Sequence, residues 1–425
     1  MIKERKIFKK LLSENKKHKI SIILGPRQVG KTTTLKFLYD NIVVKGKQPG
    51  LFLDLDIYSN FEKISTYENA LATFKLAGYN PNDKKIFYVF LDEFQRYKDI
   101  SLILKNIYDH HQNIKIYATG SSSLAIKQKI QESLAGRKIV THLYPLDFEE
   151  FLQFKMKKEM IQKLKNLPLL KGDDLFKVTK ELYFLLEEFI IFGGYPEVIL
   201  TDNRAEKIEI LKSIFDLYVK KELVEYLKIE KILETKRLIQ YLAVNNANKI
   251  KYQEISKTVS FSEKTIKNYI ELLKETYLVF ELRPFFTNKN KELVKIPKIY
   301  FLDTGVSNFF INNFNGFDFR KDAGFLFENY ILLELIKNGI EPQKIKFWQD
   351  KNQVEVDFVI EESGFLVAIE VKFKQLLNRD AFSGLNIFLK EYPLAKCFLI
   401  NLSVQKKINN INTLLPYRFY PLIFK

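Results

Sequence analysis

The fold is decided by the stretch Ser21-Ile22-Ile23-Leu24-Gly25-Pro26-Arg27-Gln28-Val29-Gly30-Lys31-Thr32-Thr33. An apolar, strand-like run ends here in a glycine-rich loop, and a helical pattern follows. Gly25, Gly30, Lys31 and Thr32 fit the spacing G-x-x-x-x-G-K-[ST], in which backbone N–H groups surround a phosphate at the start of the next helix. Lys31 would reach the β- and γ-phosphates, and the Thr32 hydroxyl would ligate Mg²⁺. The stretch from Gly25 to Thr33 therefore predicts a nucleoside triphosphate site.

A second strand pattern ends in two acids. Residues 86–91 are all apolar, as in a buried parallel strand, and Asp92 and Glu93 follow them. Asp92 can hold the Mg²⁺ shell, and Glu93 can orient the attacking water as general base. The alternative is that both acids cap the next helix. It is the weaker interpretation because the glycine-rich loop precedes the pair by about 60 residues.

Three further residues are candidates for contact with the γ-phosphate. Residues 114–123 form another strand pattern that ends in small hydroxyl side chains, and Thr119 and Ser121 are each a candidate sensor of that phosphate. Helix capping explains either hydroxyl equally well. Arg137 follows small residues and precedes the strand pattern 138–143. It is interpreted either as an arginine finger, acting in cis or on a neighbouring subunit of a homo-oligomer, or as half of an ordinary surface ion pair.

Composition limits the classes of protein that fit. The chain has 425 residues, of which 46% are hydrophobic and 28% charged, and this fits two or three globular domains. The single cysteine, Cys397, excludes a disulfide framework and fits a reducing, cytoplasmic location. The start of the sequence shows no export signal, and no apolar run reaches about 18 residues, so we expect no membrane partner.

The middle of the chain is helical and then basic. Strands and helices alternate up to residue 148, as in a parallel α/β sheet, and a helical, lid-like section follows from 149 to 230, with a hinge expected at 193–197. Residues 231–302 predict a winged helix-turn-helix: helices at 252–259 and after Ser262, then hairpin strands at 277–282 and 298–302 around a basic wing, 288–291.

The outer face of the second helix carries Lys264, Lys267 and Asn268, which would contact DNA. The formal net charge of +17 also makes nucleic acid the leading partner. The alternatives are a winged-helix spacer between domains and a merely lysine-rich surface.

A second group of charged residues is predicted on a hairpin in the last section, 303–425. A turn at Glu362-Ser363 would pair Glu361 with Gly364, and hence Asp357 with Ala368 and Glu355 with Glu370. One face of this hairpin is entirely apolar. The other face collects the charged residues Glu355, Asp357, Glu370 and Lys372.

Like charges directly across a hairpin destabilise it, and a bound cation would relieve that repulsion. Asp357 with Glu370-Val371-Lys372 is the D…ExK arrangement of Mg²⁺-dependent phosphodiesterases. Asp357 and Glu370 would ligate the metal, Lys372 would position the water, and Glu328 on the preceding helix is a further ligand or base. The alternative is a nuclease-type fold whose site is inactive or structural.

These motifs together resemble a widespread family of archaeal and bacterial AAA+ ATPases (MNS-like clade) with a carboxy-terminal DUF4143-type domain. The resemblance rests on the glycine-rich loop and on matching segments spread over nearly the whole chain: Phe90-Leu91-Asp92-Glu93, Thr119-Gly120-Ser121, Leu134-Ala135-Gly136-Arg137, Gly193-Gly194-Tyr195-Pro196-Glu197-Val198, Lys298-Ile299-Tyr300-Phe301-Leu302-Asp303-Thr304-Gly305, Phe327-Glu328-Asn329, Glu355-Val356-Asp357-Phe358 and Ile369-Glu370-Val371-Lys372. One departure is Gln349, where relatives often have arginine.

The resemblance implies ATP binding and hydrolysis, and a carboxy-terminal domain similar to the PD-(D/E)xK, restriction-endonuclease-like fold. The expected architecture is α/β and multidomain: an AAA+ P-loop ATPase core (1–148), a helical lid (149–230), a winged helix (231–302) and a nuclease-like domain (303–425). We expect an ATPase bound to DNA whose nucleotide state gates the nuclease-like domain. The alternatives are an active Mg²⁺-dependent endonuclease regulated by ATP, or a non-hydrolysing switch that recruits protein partners.

Overall fold

The computed structural model describes residues 2–94, 97, 100–120, 133–167, 170, 172–226, 229–288, 290, 292, 295–362 and 364–424. The chain forms two compact units. The first contains residues 1–144, 218–228 and 275–277, and the second contains residues 145–217, 229–274 and 278–425. Within the described residues, no helix is long and apolar enough to cross a membrane.

The first unit is built on a parallel sheet of five strands in the order β2-β3-β4-β1-β5. The strands β1, β3 and β4 are buried along their whole length because helices cover both faces of the sheet. This confirms the parallel α/β sheet predicted from the alternating pattern. Its elements are α1 Ile7–Ser13, β1 Ile20–Leu24, α2 Lys31–Tyr39, β2 Gly50–Asp54, α3 Tyr58–Glu62, α4 Tyr67–Leu76, β3 Phe87–Asp92, α5 Ile100–His110, β4 Ile114–Gly120 and β5 Lys138–His142, with π-helices at Asp40–Lys45 and Val219–Tyr226.

The second unit begins with helices. They are α6 Phe148–Phe154, α7 Lys158–Asn166, α8 Gly172–Phe192, α9 Pro196–Leu200, α10 Arg204–Tyr218, α11 Ile232–Val244, α12 Tyr252–Val259 and α13 Glu263–Glu275. A two-stranded antiparallel sheet follows, formed by β6 Val279–Leu282 and β7 Lys298–Phe301. Helix α12 has the predicted bounds, α13 begins directly after Ser262, and β6 and β7 lie within the predicted strand segments 277–282 and 298–302. The Ser262 hydroxyl accepts a hydrogen bond from Thr265 N at 3.2 Å, as expected of a helix cap.

The carboxy-terminal part of the second unit is a six-stranded mixed sheet in the order β12-β13-β11-β10-β9-β8. Its most buried helix, α15, is apolar on nearly every side, which is typical of a helix inside a core. The elements are α14 Thr304–Phe310, α15 Ala323–Lys337, β8 Ile345–Gln349, β9 Glu355–Glu362, β10 Phe365–Val371, α16 Ser383–Glu391, β11 Lys396–Ile400, β12 Lys406–Ile408, β13 Ile411–Leu414 and α17 Tyr420–Phe424, with 3₁₀ turns at Phe317–Phe319, Pro342–Lys344 and Arg379–Phe382.

The two glycines expected to form a hinge are instead tightly packed. Gly194 N donates to Asp303 Oδ2 at 2.7 Å, and a Cβ atom on Gly193 would lie 2.0 Å from Asp303 Oδ1. Asp303 also caps α14, because its Oδ1 accepts from Val306 N. Close approach of backbone to a buried carboxylate therefore accounts for the glycine pair better than a hinge does.

Candidate functional site

The glycine-rich loop follows the carboxyl end of β1, inside the sheet of the first unit. A Cβ atom on Gly25 would lie 2.1 Å from the carbonyl oxygen of Leu143, so only glycine fits there. Gly30 has a φ of +93° and directly precedes α2. Both glycines of the motif are thus required by geometry, one for space and one for backbone conformation.

Lys31 is the first residue of α2, and its ammonium group lies inside the loop. Its Nζ donates to the carbonyl oxygens of Gly25 and Pro26, at 3.1 and 2.8 Å. Burial lowers the pKa of Lys31, and the carboxylate of Glu93 opposes that shift. Thr32 is half-buried beside it. Lys31, the predicted phosphate ligand, and Thr32, the predicted Mg²⁺ ligand, therefore lie together at the start of a helix, where the helix dipole also favours an anion.

The loop is also held by a residue that the sequence analysis missed. Arg5 is buried, and its two terminal nitrogens donate to Val29 O at 3.1 Å and to Tyr144 O at 3.0 Å. A single arginine in a charged segment, residues 3–6, gives no signal of such a role, because the same pattern fits an exposed surface.

The two acids and one candidate sensor meet at the same edge of the sheet. Asp92 ends β3, and the Thr119 hydroxyl near the end of β4 donates to its Oδ1. Thr119 Oγ1 also accepts from Glu93 N at 3.3 Å. Glu93 has a φ of +53°, an unusual value for a residue with a side chain, which turns the chain sharply where β3 ends. The other candidate sensor, Ser121, lies outside the described residues.

Arg137 lies at the opposite end of the strands. Its carbonyl oxygen accepts from Ile20 N, at the amino end of β1, whereas the phosphate loop follows the carboxyl end. The guanidinium group forms a two-pronged ion pair with Asp109, at 2.6 and 3.0 Å. This is the ion pair that the sequence left open as an alternative. A finger acting in cis is not possible from this position because the length of β1 separates Arg137 from the loop; a finger acting on a neighbouring subunit remains a prediction.

A further acid faces the phosphate loop from the π-helix Val219–Tyr226. Glu222 Oε1 accepts from Arg27 Nε at 2.8 Å, and Glu222 is 3% exposed. Its other oxygen, Oε2, has no hydrogen-bond partner among the described residues. Burial raises the pKa of Glu222, and Arg27 and Lys31 oppose that shift. A carboxylate thus neutralises the arginine of the loop at the place where a triphosphate would bring its own negative charge.

Replacing Glu222 with glutamine is expected to tighten ATP binding by about tenfold, or ~1.4 kcal/mol, because a buried negative charge beside the triphosphate is removed and the side-chain shape is kept. Titration with a fluorescent ATP analogue measures this. Glu68→Gln, an exposed acid on α4, is the matched control and should leave the dissociation constant unchanged. An unchanged or higher dissociation constant in Glu222→Gln contradicts the prediction.

The hairpin of the second unit has a different register from the predicted one. Glu361 pairs with Leu366 and Phe358 with Ile369, so the second strand is displaced by two residues from the expected pairing. The predicted pairings of Asp357 with Ala368 and of Glu355 with Glu370 are therefore wrong. Because the displacement is an even number, each side chain stays on its predicted face. The last pair before the turn is Glu362 with Phe365, whereas the predicted last pair is Glu361 with Gly364. The observed register brings Asp357 beside Glu370.

Asp357, which is half-buried, and Glu370, which is buried, form an acidic pair. Asp357 Oδ2 accepts from Val371 N at 2.7 Å, and Glu370 Oε1 accepts from Lys372 Nζ. Glu370 Oε2 has no hydrogen-bond partner within the described part of the chain. Burial raises the pKa of Asp357, and repulsion from Glu370 raises it further. Burial also raises the pKa of Glu370 to about 7, although Lys372 opposes that shift.

Glu328 lies near Asp357 and Glu370, and other side chains bind its carboxylate. Its Oε1 accepts from Lys298 Nζ at 3.2 Å and from the Tyr300 hydroxyl at 2.5 Å. Lys298 also forms an ion pair with Glu355. Burial alone would lower the pKa of Lys298, but Glu328 and Glu355 outweigh it and raise that pKa. We call Glu328, Glu355, Asp357, Glu370, Lys298 and Lys372 the carboxylate cluster.

The carboxylate cluster differs from a preformed metal cage. Among the described residues, no three histidine, cysteine, aspartate or glutamate side chains are arranged to hold a metal ion together. The chemistry of Asp357 and Glu370 nevertheless fits a divalent cation, since Mg²⁺ is commonly bound by one or two carboxylates and completed by water. The unpartnered oxygen of Glu370 is available to such an ion.

Three family models match successive parts of the chain. Residues 17–152 match an AAA domain, residues 183–316 match a domain of unknown function (DUF8612), and residues 323–420 match a domain of unknown function (DUF4143). The fold and the loop geometry thus define an AAA-type nucleotide-binding ATPase. This confirms the predicted class and the DUF4143-type carboxy-terminal domain.

Sequence relatives match most of the chain. Uncharacterized protein MJ1544 of Methanocaldococcus jannaschii is 33% identical over 352 residues, which are 81% of this chain and 72% of that protein. The chain belongs to the same family, that of AAA-type ATPases with a DUF4143 carboxy-terminal domain. An uncharacterized protein of Haemophilus influenzae is 24% identical over 88% of this chain and 87% of its own. The Walker-type ATPase PABY2304 of Pyrococcus abyssi is similar at 15% identity and a TM-score of 0.47, over 73% of this chain and 96% of its own.

Proposed function

We propose that this ATPase hydrolyses ATP in association with DNA, and that its nucleotide state controls the carboxy-terminal domain. The observation that carries the proposal is the meeting of Lys31, Asp92, Glu93 and Thr119 in the first unit. Thr32 and Asp92 would hold Mg²⁺, which neutralises phosphate charge when it is bound. Glu93 would take the proton of the attacking water, and Thr119 would contact the γ-phosphate.

The DNA part of the proposal is supported by charge and exposure. Lys264, Lys267 and Asn268 are all exposed on α13, while Ile266 and Ile270 on its other face are buried. A helix with this arrangement can lie in a major groove, with the β6–β7 hairpin as the wing against the backbone. The predicted wing, 288–291, lies partly outside the described residues. The proposal keeps the four domains with boundaries after residues 148, 230 and 302. It also includes a homo-oligomer in which Arg137 acts as an arginine finger on a neighbouring subunit.

ATP turnover measured with and without DNA tests this function. We expect double-stranded DNA to stimulate turnover in the wild type, and we expect Lys264→Glu with Lys267→Glu to abolish the stimulation but not the basal rate. Lys75→Glu, an exposed lysine on α4, is the matched control. A turnover rate that no DNA changes, single- or double-stranded, overturns the DNA part of the proposal.

The carboxylate cluster supports a second candidate function, Mg²⁺-dependent cleavage of a phosphodiester. Asp357 and Glu370 would hold the cation, which would polarise the phosphate when it is bound. Lys372 would position the water, and Glu328 would act through Lys298 as a positioning residue. Supercoiled, branched and single-stranded DNA incubated with Mg²⁺ and either wild type or Asp357→Asn tests this activity. Asparagine can still accept the hydrogen bond from Val371 N, so the hairpin should persist. Equal nicking by both proteins overturns the nuclease function.

A further inference from the structure

A groove lies outside the carboxylate cluster and is lined by residues that belong neither to that cluster nor to the phosphate site. It lies in the second unit, has a volume of about 900 Å³, and is lined by both apolar and basic side chains. Those that matter here are Lys249, Phe286, Lys295, Ile296, Phe347, Gln349 and Lys351.

Two sheets form part of the groove wall. Phe347 in β8 donates its N–H to Arg283 O at 3.1 Å and accepts from Phe285 N at 2.5 Å, so the segment before Phe286 is bound to the edge of the six-stranded sheet. On the other side, Lys249 pairs with Lys298 of β7. The two sheets thus hold Phe347 and Lys249 in place before a ligand arrives, which reduces the cost of binding.

The floor and the rim of the groove differ in character. The floor is apolar: Phe286 is half-buried, and Ile296 is 48% exposed. The rim carries exposed Lys295 and Lys351. Among the described residues that line the groove, the only acid is Asp350, whose Oδ1 accepts from Val354 N at 2.8 Å. The groove therefore offers a positive rim above an apolar floor.

One end of the groove reaches the carboxylate cluster. Gln349 pairs with Glu355 across β8 and β9, and its side-chain oxygen accepts from Lys249 Nζ. Lys298 then joins Glu355 to Glu328. A chain lying in the groove would thus run toward Asp357 and Glu370.

We propose that this groove binds single-stranded nucleic acid. Phosphates would contact Lys295 and Lys351, and unpaired bases would pack on Phe286 and Ile296. Single strands fit better than a duplex because the apolar floor would contact the flat faces of the bases. In a double helix these faces are covered by stacking on neighbouring bases. The inference deepens the proposed phosphodiester chemistry by naming its substrate class, and it rests on that proposed function.

Fluorescence anisotropy of a labelled oligothymidylate of about twenty nucleotides, and of a duplex of the same length, tests the inference at two salt concentrations. We expect Lys295→Glu with Lys351→Glu to weaken oligothymidylate binding by at least about tenfold and to reduce the salt dependence by about 1.4 in log–log slope, because two phosphate contacts are lost. Phe286→Ala should weaken the same binding with little change in that slope. Lys264→Glu with Lys267→Glu, the matched control, should affect the duplex instead. Thermal melting checks that each variant is folded.

Different binding results would overturn the groove inference and the proposed association with DNA. If the wild type binds duplex but not oligothymidylate, or binds oligothymidylate with an affinity that the groove variants leave unchanged, the groove inference alone is overturned. If the wild type binds neither, the proposed DNA association is overturned as well. Displacement of oligothymidylate by polyglutamate at equal charge would show a general anion site and would also overturn the groove inference.

Discussion

Replacing Glu93 with glutamine is expected to lower ATP turnover by about 10²- to 10³-fold while ATP binding persists, because glutamine keeps the shape of the side chain but cannot accept the proton of the attacking water. The position of Glu93 supports this expectation. It directly follows Asp92 at the carboxyl end of β3, and its backbone N–H is held by Thr119. A general base at the end of a rigid strand needs little reorganisation when the nucleotide binds.

Steady-state phosphate release and nucleotide titration on the same preparations separate the two effects. Lys31→Ala is the matched comparison because it should lose nucleotide affinity, whereas Glu93→Gln should not. Thr119→Val should lie between them, since it removes the hydroxyl shared by Asp92 and Glu93 and adds no charge. Turnover in Glu93→Gln within about threefold of the wild type would show that another group activates the water. It would also reopen the interpretation of both acids as caps.

Much of the fold follows from local sequence patterns. The strand before Gly25 and the strand before Asp92 are readable because both are buried on two faces and therefore apolar throughout. The α12 helix spans Tyr252–Val259, as its apolar spacing predicts. The face of the hairpin that carries Asp357 and Glu370 is also predictable, because alternation fixes the face even where the pairing is misjudged.

The alternating pattern does not determine which residues of the two hairpin strands pair with each other. A displacement of two residues preserves every inward and outward side chain, so alternation cannot distinguish the two registers. The position of the turn decides between them, and Gly364 fits either register, as the first residue after a turn at Glu362-Ser363 or inside the turn when Glu362 pairs with Phe365. The consequence is chemical, since only the observed register puts the two carboxylates of the D…ExK arrangement side by side.

Contacts between distant segments leave still less trace in the sequence. Arg27 and Glu222 are 195 residues apart, and a glutamate in a charged helical stretch resembles any solvated residue. Arg5 presents the same difficulty at the start of the chain. Arg5 and Glu222 both contact the phosphate loop. The sequence motif therefore identifies the residues that would touch phosphate. It does not identify Arg5, which holds the loop, or Glu222, which brings a negative charge to it.

The glycine pair at 193–194 shows the same limit. Its sequence suggests a hinge because glycine is flexible, but in the structure Gly193 has a φ of +80° and lies against the buried carboxylate of Asp303. That carboxylate is occupied by Gly194 N and Val306 N, so it cannot move without breaking the cap of α14. Glycine is required here because nothing larger fits.

Gly193→Ala is therefore expected to destabilise the protein by about 3–5 kcal/mol. A positive φ costs a residue with a side chain on the order of 1–3 kcal/mol, and displacing a buried, hydrogen-bonded carboxylate adds a comparable amount. Gly339→Ala is the matched control in the same unit. Gly339 has a φ of +113°, but the nearest atom to an added Cβ, the Tyr420 hydroxyl oxygen, is 3.8 Å away, so only the backbone cost of about 1–3 kcal/mol applies.

Denaturant unfolding followed by circular dichroism measures both changes. The difference between the two variants isolates the contact with Asp303 from the cost of backbone conformation. Asp303→Asn combined with Gly193→Ala provides a second check, because a neutral amide is less costly to displace than a carboxylate and the double variant should lose less than the sum of the two single changes. Equal destabilisation by Gly193→Ala and Gly339→Ala would mean that the chain accommodates the methyl group freely, and the glycine pair would then be better explained as a hinge after all.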